Sequence, residues 1–326
     1  MIIELTNTTT SQIARRLVEV REEGGALALS RVLTLVVVNE NTVDEHAIRA
    51  ANEASSEHPM RVIVIHTNSD AETQLDAEIR VGRDAGAGEV VVLHASGEAA
   101  ADAETLVQGL LLPDAPVVVW WPRWQGGSPS STPLGRLATV RIVDEAAEQL
   151  PHCASTLERL KRLAADFHPG DAHLDWTRIT GWRAQLAAVL DQPPFETVLG
   201  ARVVGRADST VPLLMAAWLQ HFLEIPVEVV PALDDAATHL SEDGRVNLYS
   251  VALKRNSGSF VFERIDTDTL RFRQDGQPEQ LVPLPVRTIT EVLTEELRSL
   301  APDEVYADVL LRGVPRLQLE DHHGES

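Results

Sequence analysis

Cysteine is almost absent from this chain: Cys153 is the only one in 326 residues. One thiol excludes an internal disulfide, a CxxC couple and a cysteine-rich zinc site. Lysine is nearly missing too, with Lys161 and Lys254 alone, so almost all of the positive charge is arginine. Bases are also few in total. Against 49 Asp and Glu stand 28 Lys and Arg, a formal net charge of -21. Neutralising nucleic-acid phosphate needs a clustered excess of bases, and docking on anionic lipid needs the same, so both partners are set aside. No run approaches the roughly 18 uncharged apolar residues that span a bilayer. Residues 1–10 carry no basic segment followed by an apolar run, so no signal peptide is read there and the expected location is cytoplasmic.

What is present is enough for a sizeable core: 44% hydrophobic and 24% charged residues, over a length that suggests two domains. Four runs rich in β-branched residues stand out: 31–38 (RVLTLVVV), 61–66 (RVIVIH), 89–94 (EVVVLH) and 116–121 (PVVVWW). Such runs mark strands buried on both faces of a parallel sheet. Helical stretches alternate with them. Thr9 and Gln12 are spaced as a capping box ahead of Ile13, Leu17 and Val20. Ala47, Ile48, Ala51 and Ala54 share a face before Pro59, and 98–112 is helical by composition. Residues 75–81 alternate as a half-exposed strand. Together these predict an N-terminal α/β domain over residues 1–148, doubly wound with a mostly parallel sheet.

A loop rich in Gly, Ser and Pro (125–133) and a short strand at 140–143 lead into a helical connector, 149–193. Its second helix has Asp175 placed as N-cap, with Trp176, Ile179, Trp182, Leu186 and Leu190 on one face. Residues 194–326 form an expected C-terminal α+β domain. Strands at 197–204 and 226–230 flank a helix carrying Val211, Leu214, Met215, Trp218 and Phe222, with Pro212 in its first turn. Three runs, 246–253, 259–265 and 270–274, predict an antiparallel meander. Thr288 and Glu291 are spaced as a capping box for a last helix with Ile289, Val292, Leu293 and Leu297 inward. A disordered tail is expected after Glu320.

The search for chemistry excludes more than it finds. In 80–90 (RVGRDAGAGEV), Gly86 and Gly88 precede a strand, whereas a dinucleotide fingerprint follows a strand and opens a helix. A plain turn is the better reading. There is no phosphate loop, no G-x-S-x-G elbow and no H-E-x-x-H helix. Asp266-Thr267-Asp268 has the D-x-D form that holds metal in some sugar transferases, but Asp and Thr between two strands are common turn residues. His322-His323 sits in the tail without fixed geometry. His152 beside Cys153 is adjacency in sequence only. No catalytic residue, cofactor or metal is assigned.

Three polar-aromatic groups are candidates for recognition. Trp120, Trp121 and Trp124 surround Pro122 and Arg123 at the carboxyl end of a strand, the edge where α/β sheets place ligands. One of the adjacent tryptophans is read as core. The remainder fits a solvent-facing partner surface, because Trp and Arg dominate interface hot spots. A second group is Glu53, His58 and Arg61 around Pro59. The third is Asp175, Trp176, Arg178, Trp182 and Arg183, whose apolar face is read as core and whose arginines remain open.

Several stretches together resemble one family. They are 30–35 (SRVLTL), 50–61 (AANEASSEHPMR), 75–93 (LDAEIRVGRDAGAGEVVVL), 111–122 (LLPDAPVVVWWP), 134–144 (LGRLATVRIVD), 175–183 (DWTRITGWR) and 191–194 (DQPP). In this order they are similar to the glucose-6-phosphate dehydrogenase assembly protein family, OpcA, over most of residues 8–194. The arginine-rich, lysine-poor composition looks like an actinobacterial member. The resemblance implies a non-enzymatic partner of glucose-6-phosphate dehydrogenase, an assembly factor or allosteric activator in the oxidative pentose phosphate pathway. Photosynthetic members are linked to thiol control, and Cys153 alone cannot form an internal switch. The competing class is a small-molecule protein or enzyme. It would hold a nucleotide or sugar phosphate at the sheet's carboxyl edge, beside Arg83, Arg123 and glycine backbone, with Asp266 and Asp268 as distant metal ligands.

Overall fold

Each of the four β-branched runs forms a strand, and all four join one sheet. The computed structural model describes residues 1–23, 31–40, 44–81, 89–124, 127–144, 153–193, 195–232 and 246–319. Strand β1 (Ile2–Leu5) leads to helix α1 (Thr10–Glu23), which opens on the expected capping box. Thr9 N donates to Gln12 Oε1 at 3.0 Å, and Gln12 N donates to Thr9 Oγ1 at 3.3 Å. Then come β2 (Leu33–Glu40), α2 (Glu45–Glu57), β3 (Met60–Asn68), β4 (Gln74–Val81) and β5 (Glu89–Ser96). The helix expected over 98–112 is two short ones, α3 (Glu98–Ala101) and α4 (Ala103–Gln108), interrupted where Asp102 leaves helical geometry at ψ 35°. Next are β6 (Val117–Trp121), α5 (Pro133–Leu137), β7 (Val140–Val143), α6 (Cys153–Ala165) and β8 (Asp171–His173). The single helix expected from Asp175 is also divided, into α7 (Leu174–Arg178) and α8 (Thr180–Leu190), with Ile179 at φ -91°, ψ 4° between them. Asp175 therefore lies inside a first turn and is not an N-cap.

The chain continues through β9 (Gly200–Gly205), α9 (Val211–Leu223), β10 (Val227–Pro231), β11 (Leu248–Arg255), β12 (Gly258–Arg264), β13 (Thr269–Gln274) and β14 (Gln280–Pro283). It ends with α10 (Ile289–Glu296), α11 (Glu304–Asp308), a short π-helical turn, Val309–Gly313, and a 3-10 turn, Val314–Arg316. Two compact units result. One holds residues 1–144, 168–174 and 289–302; the other holds 145–167, 175–288 and 303–326. Compactness thus divides the chain differently from the boundaries expected at 148 and 193, because 168–174 and 289–302 return to the first unit. The glycines at 86 and 88, Arg83, His152 and the tail with His322 and His323 lie outside the described residues, as does the side chain of Cys153.

In the first unit the strand order is β1-β4-β5-β3-β2-β6-β7-β8. From β5 to β8 all pairs are parallel, while β4 runs antiparallel to β5 and β1 antiparallel to β4. On one face Leu35, Val37, Val62, Val64, Trp120 and Ile142 join a buried cluster with Ala47, Ile48, Ala51 and Ala54 of α2 and Val292, Leu293 and Leu297. Each fully buried Val, Leu or Ile adds roughly 1.5–3 kcal/mol, so this face alone outweighs any polar contact. Polar groups are buried inside the unit as well, Glu89 among them. Glu89, 1% exposed, accepts from Arg61 Nε at 2.6 Å and pairs with Arg31 Nη2 at 2.8 Å. Arg61 Nη1 also donates to the carbonyl of Leu110.

The second unit carries a six-stranded sheet, β10-β9-β11-β12-β13-β14. Strands β9 and β10 are parallel, and β11 to β14 form the expected antiparallel meander with a fourth strand added. Helix α9 is buried along most of its length, from Val211 to Ala217 and at Leu219. Gly313 lets a neighbouring turn approach it closely, since a Cβ there would stand 2.7 Å from the carbonyl oxygen of Ala217.

Two predictions follow from the first sheet. Arg61→Met strands the Glu89 carboxylate with fewer partners and should lower unfolding stability by about 3–5 kcal/mol, whereas Arg61→Met with Glu89→Leu should recover much of the loss; urea titrations of both variants measure this. The second concerns Asp76, whose carboxylate accepts from the Asn7 amide at 2.7 Å and from Gln74 Nε2 at 2.9 Å. These bonds, the amide first, hold its pKa below the usual 3.8. A depressed folded-state pKa adds stability that is present above 3.8 and lost as pH falls through the folded value. The urea-midpoint difference between wild type and Asp76→Asn should therefore be largest near neutrality and narrow below pH 3.8.

Candidate functional site

Parallel α/β sheets place ligands at the carboxyl ends of strands where the winding reverses. In this sheet β3 and β5 lie on one side of β2, and β6, β7 and β8 on the other, so the reversal falls between β2 and β6. Helix α2 begins beside that point. A dinucleotide-binding protein leaves the first amides of this helix open to pyrophosphate. Here Asp44 takes them: its Oδ1 accepts from His46 N and Ala47 N, both at 3.1 Å. Its other oxygen, Oδ2, meets Arg123 Nε at 3.1 Å. A carboxylate therefore already stands at the helix's positive end.

The tryptophan group at this edge differs from the expected solvent-facing surface. Trp120, Trp121 and Trp124 are 0%, 4% and 8% exposed. Trp121 and Trp124 meet edge to face, with ring centroids 5.3 Å apart. The turn between them is closed by backbone bonds, Trp124 N to Asp144 O at 2.8 Å and Asp144 N to Trp121 O at 3.0 Å, and Trp124 Nε1 donates to Gly127 O. Burial of large apolar rings outweighed the exposure suggested by a loop rich in turn residues. Arg123 alone projects, its side chain 51% exposed.

The second candidate group is engaged by a helix that sequence places far away. Glu53 Oε2 accepts from Thr290 Oγ1 at 2.8 Å, and His58 Nε2 lies 3.1 Å from the carbonyl of Thr294. Both residues tie α2 to α10. Arg61, expected at a partner surface, is instead the buried cation on Glu89. Its place at the start of a strand with apolar neighbours gave no sign of that partner.

Arg178 and Arg183 belong to the second unit, the tryptophan group to the first. Asp175, 5% exposed, is held by Arg178 Nη1 and Thr210 Oγ1. Arg183 lies over the Trp176 ring at 3.6 Å, and Trp176 Nε1 donates to Asp303 Oδ2 at 2.8 Å. The Asp266-Thr267-Asp268 segment is a turn whose first carboxylate accepts from the Asp268 amide at 2.8 Å. That bond, ahead of others, keeps the Asp266 carboxyl below its ordinary range. Among the described residues no group of three His, Cys, Asp or Glu is placed to hold a metal.

A feature missed in the sequence is a polar row on the α2 face of the sheet's carboxyl edge. Asn39, His66, His94 and Asp76 occupy register-matched positions on β2, β3, β5 and β4. The rings of His66 and His94 stack at 5.1 Å and 17°. Alternation along each strand was legible, but which residues stand opposite one another depends on register.

Comparison with known proteins places these features in a family. Residues 51–162 match the N-terminal domain of the glucose-6-phosphate dehydrogenase subunit family, and residues 169–310 match its C-terminal domain. No curated protein sequence matches the chain. Among solved structures, biliverdin reductase from Synechocystis sp. PCC 6803 is similar at TM-score 0.45 and 10% identity, covering 87% of this chain and 96% of that one. An oxidoreductase from Sinorhizobium meliloti is similar at 0.46 and 11%, over 87% and 94%. Glucose-6-phosphate 1-dehydrogenase from Mycobacterium avium is similar at 0.38 and 13%, over 88% and 91%. Among the described residues no helix is long and apolar enough to cross a membrane. With both of its domains matched in order, the chain belongs to the glucose-6-phosphate dehydrogenase assembly protein family, OpcA.

Proposed function

We propose that this chain is a non-catalytic activator of glucose-6-phosphate dehydrogenase, binding the enzyme in the cytoplasm and raising its activity in the oxidative pentose phosphate pathway. The observation that carries this reading is the pair of family matches across 51–162 and 169–310. The geometry at α2 supports it, since Asp44 occupies the amides that a phosphate-bearing cofactor would need. Physically, an activator binds the competent state of the enzyme more tightly than the incompetent one, and linkage requires substrate to tighten the complex by the same factor.

For the contact surface we propose the edge where Arg123 projects above the buried Trp121 and Trp124. The rings set the turn, and the guanidinium is the group offered to a partner. Arg178, Arg183, Glu53 and His58 are placed secondarily, because each is engaged within its own unit.

A titration of purified dehydrogenase with this chain, following NADPH formation at limiting glucose 6-phosphate, tests the function. The expected result is a saturable fall in apparent KM or rise in kcat, with co-elution on size exclusion. Unchanged kinetics and separate elution would remove the proposal. Substitution separates the two kinds of residue at the edge. Arg123→Ala removes an exposed pair worth about 0–1 kcal/mol, so the thermal transition should scarcely move while affinity falls by tens of fold, as for an anchor of about 2 kcal/mol. Trp124→Ala, at 8% exposure, should instead cost about 3–5 kcal/mol of stability. Unchanged affinity in Arg123→Ala would move the contact surface elsewhere.

A further inference from the structure

Strand β10 is an edge of the second unit's sheet and, among the described residues, pairs on one side only, with β9. Two backbone bonds set the phase of that pairing. Ala201 N donates to Pro226 O at 3.0 Å, and Ala232 N donates to Gly205 O at 2.8 Å. With Val227 opposite Ala201 and Pro231 opposite Gly205, the even-numbered residues of β10 bond to β9. Val227 and Val229 therefore turn their N–H and C=O groups away from β9, towards the open side. A sheet edge of this kind is a template for another strand.

The same edge lines a groove of about 760 Å³, large enough for more than a few waters. Its charged lining is Arg202, Lys254 and Arg316 against Glu228 alone. In a chain with 28 bases to 49 acids, that is an inversion of the balance. Among the described residues Lys254 and Arg316 make no ion pair or side-chain hydrogen bond. Arg202 Nε stands 3.5 Å from Glu228 Oε2, an exposed pair that holds weakly. Lys254 is in register with Gly200 on β9, and a Cβ added at Gly200 would stand 3.5 Å from Pro226 O. A glycine thus lies between Lys254 and the start of β10, and no side chain there blocks the ammonium from the edge.

We propose that an extended, acidic segment of another protein adds to β10 as a further strand of this sheet. Its backbone bonds to Val227 and Val229, and its carboxylates meet Lys254 and Arg316. Main-chain bonds supply the affinity and the two cations select for acid. A second copy of this chain fits less well. The symmetric register that joins Val227 to Val229 twice sets Glu228 against Glu228, a like-charge pair across strands, between chains that each carry -21. The edge belongs to the second unit and does not depend on the activator reading.

The test uses the full chain without any dehydrogenase, so its failure is separate from failure of that reading. The probe is a labelled octapeptide with an acidic pair at each end of an alternating threonine–valine core, followed by fluorescence anisotropy. Saturable binding below about 1 mM is expected. A peptide with lysine in place of the acids, and one N-methylated at alternate residues, should each bind about tenfold or more weakly. Lack of saturation by the acidic peptide overturns the proposal. Equal binding of the lysine peptide does so too, and equal binding of the N-methylated one reduces the contact to charge and removes strand addition. Val227→Pro deletes one outward N–H at a position where an edge strand tolerates proline, so affinity should fall about tenfold in a folded protein. Unchanged affinity there counts against the assignment, as does a dimer of the chain that this substitution dissociates. Hydrogen exchange needs no variant. The bound peptide should slow exchange at Val227 and Val229 and leave the other edge, β14, unchanged; protection at β14 instead overturns the placement.

Discussion

Glu89 sets a condition that the first unit must meet before its core can close. A carboxylate at 1% exposure is tolerable only if every approach to it is filled by charge or donors. Arg61 from β3 and Arg31 from the residues ahead of β2 do this, and Arg61 also grips the carbonyl of Leu110, ahead of β6. One ion therefore gathers the amino ends of three neighbouring strands and the chain entering a fourth. Valine and isoleucine pack well in either register, but this pair is satisfied in one. The apolar faces supply the stabilisation; Glu89 and its arginines select the alignment in which it is collected.

The parts of this arrangement that were legible in the sequence are those governed by local chemistry. Runs of β-branched residues announced β2, β3, β5 and β6, alternation announced β4, and the capping box at Thr9 and Gln12 is made in both directions. Strands β1 and β14 were not legible, since four residues each, mostly exposed or half-exposed, carry no periodic signal. The return of α10 to α2 was hidden for another reason. Its capping box and apolar face said that a helix forms, while its partners Glu53 and His58 lie more than 200 residues earlier. The tryptophans were misjudged in exposure, because Trp124 beyond the strand is folded back by two backbone bonds, linking it to Asp144 and Asp144 to Trp121, that composition cannot reveal.

The edge of the first sheet has an architecture that serves dinucleotide binding elsewhere. Fold alone does not carry function; the site does. At the reversal between β2 and β6, Asp44 seals the start of α2, and Trp120 and Trp121 fill the end of β6. A phosphate placed there would have to displace a capping carboxylate already paired with Arg123. Arg123 is exposed at that edge and is the group that the proposed contact uses.

The scarcity of lysine has a physical counterpart in where the arginines lie. Arg61, Arg141, Arg159 and Arg255 are all less than 9% exposed. Arg141 shows why lysine would not serve. Its Nη1 donates to Ala138 O at 2.9 Å, its Nη2 to Pro169 O at 2.7 Å, and its Nε to the carboxylate of Asp171. Three acceptors around one side chain match a guanidinium fork, and an ammonium on a flexible stem would leave some of them unpaired. Arg255 and Arg183 instead lie over the rings of Phe260 and Trp176, each at 3.6 Å. Cations spent inside in this way are matched locally by backbone, ring or buried acid and do little to offset exposed carboxylates at a distance. With a formal charge of -21, an exposed guanidinium such as Arg123 stands against a background of opposite sign. In the contact proposed for this edge, that contrast orients the partner while the surrounding acid repels unmatched surfaces.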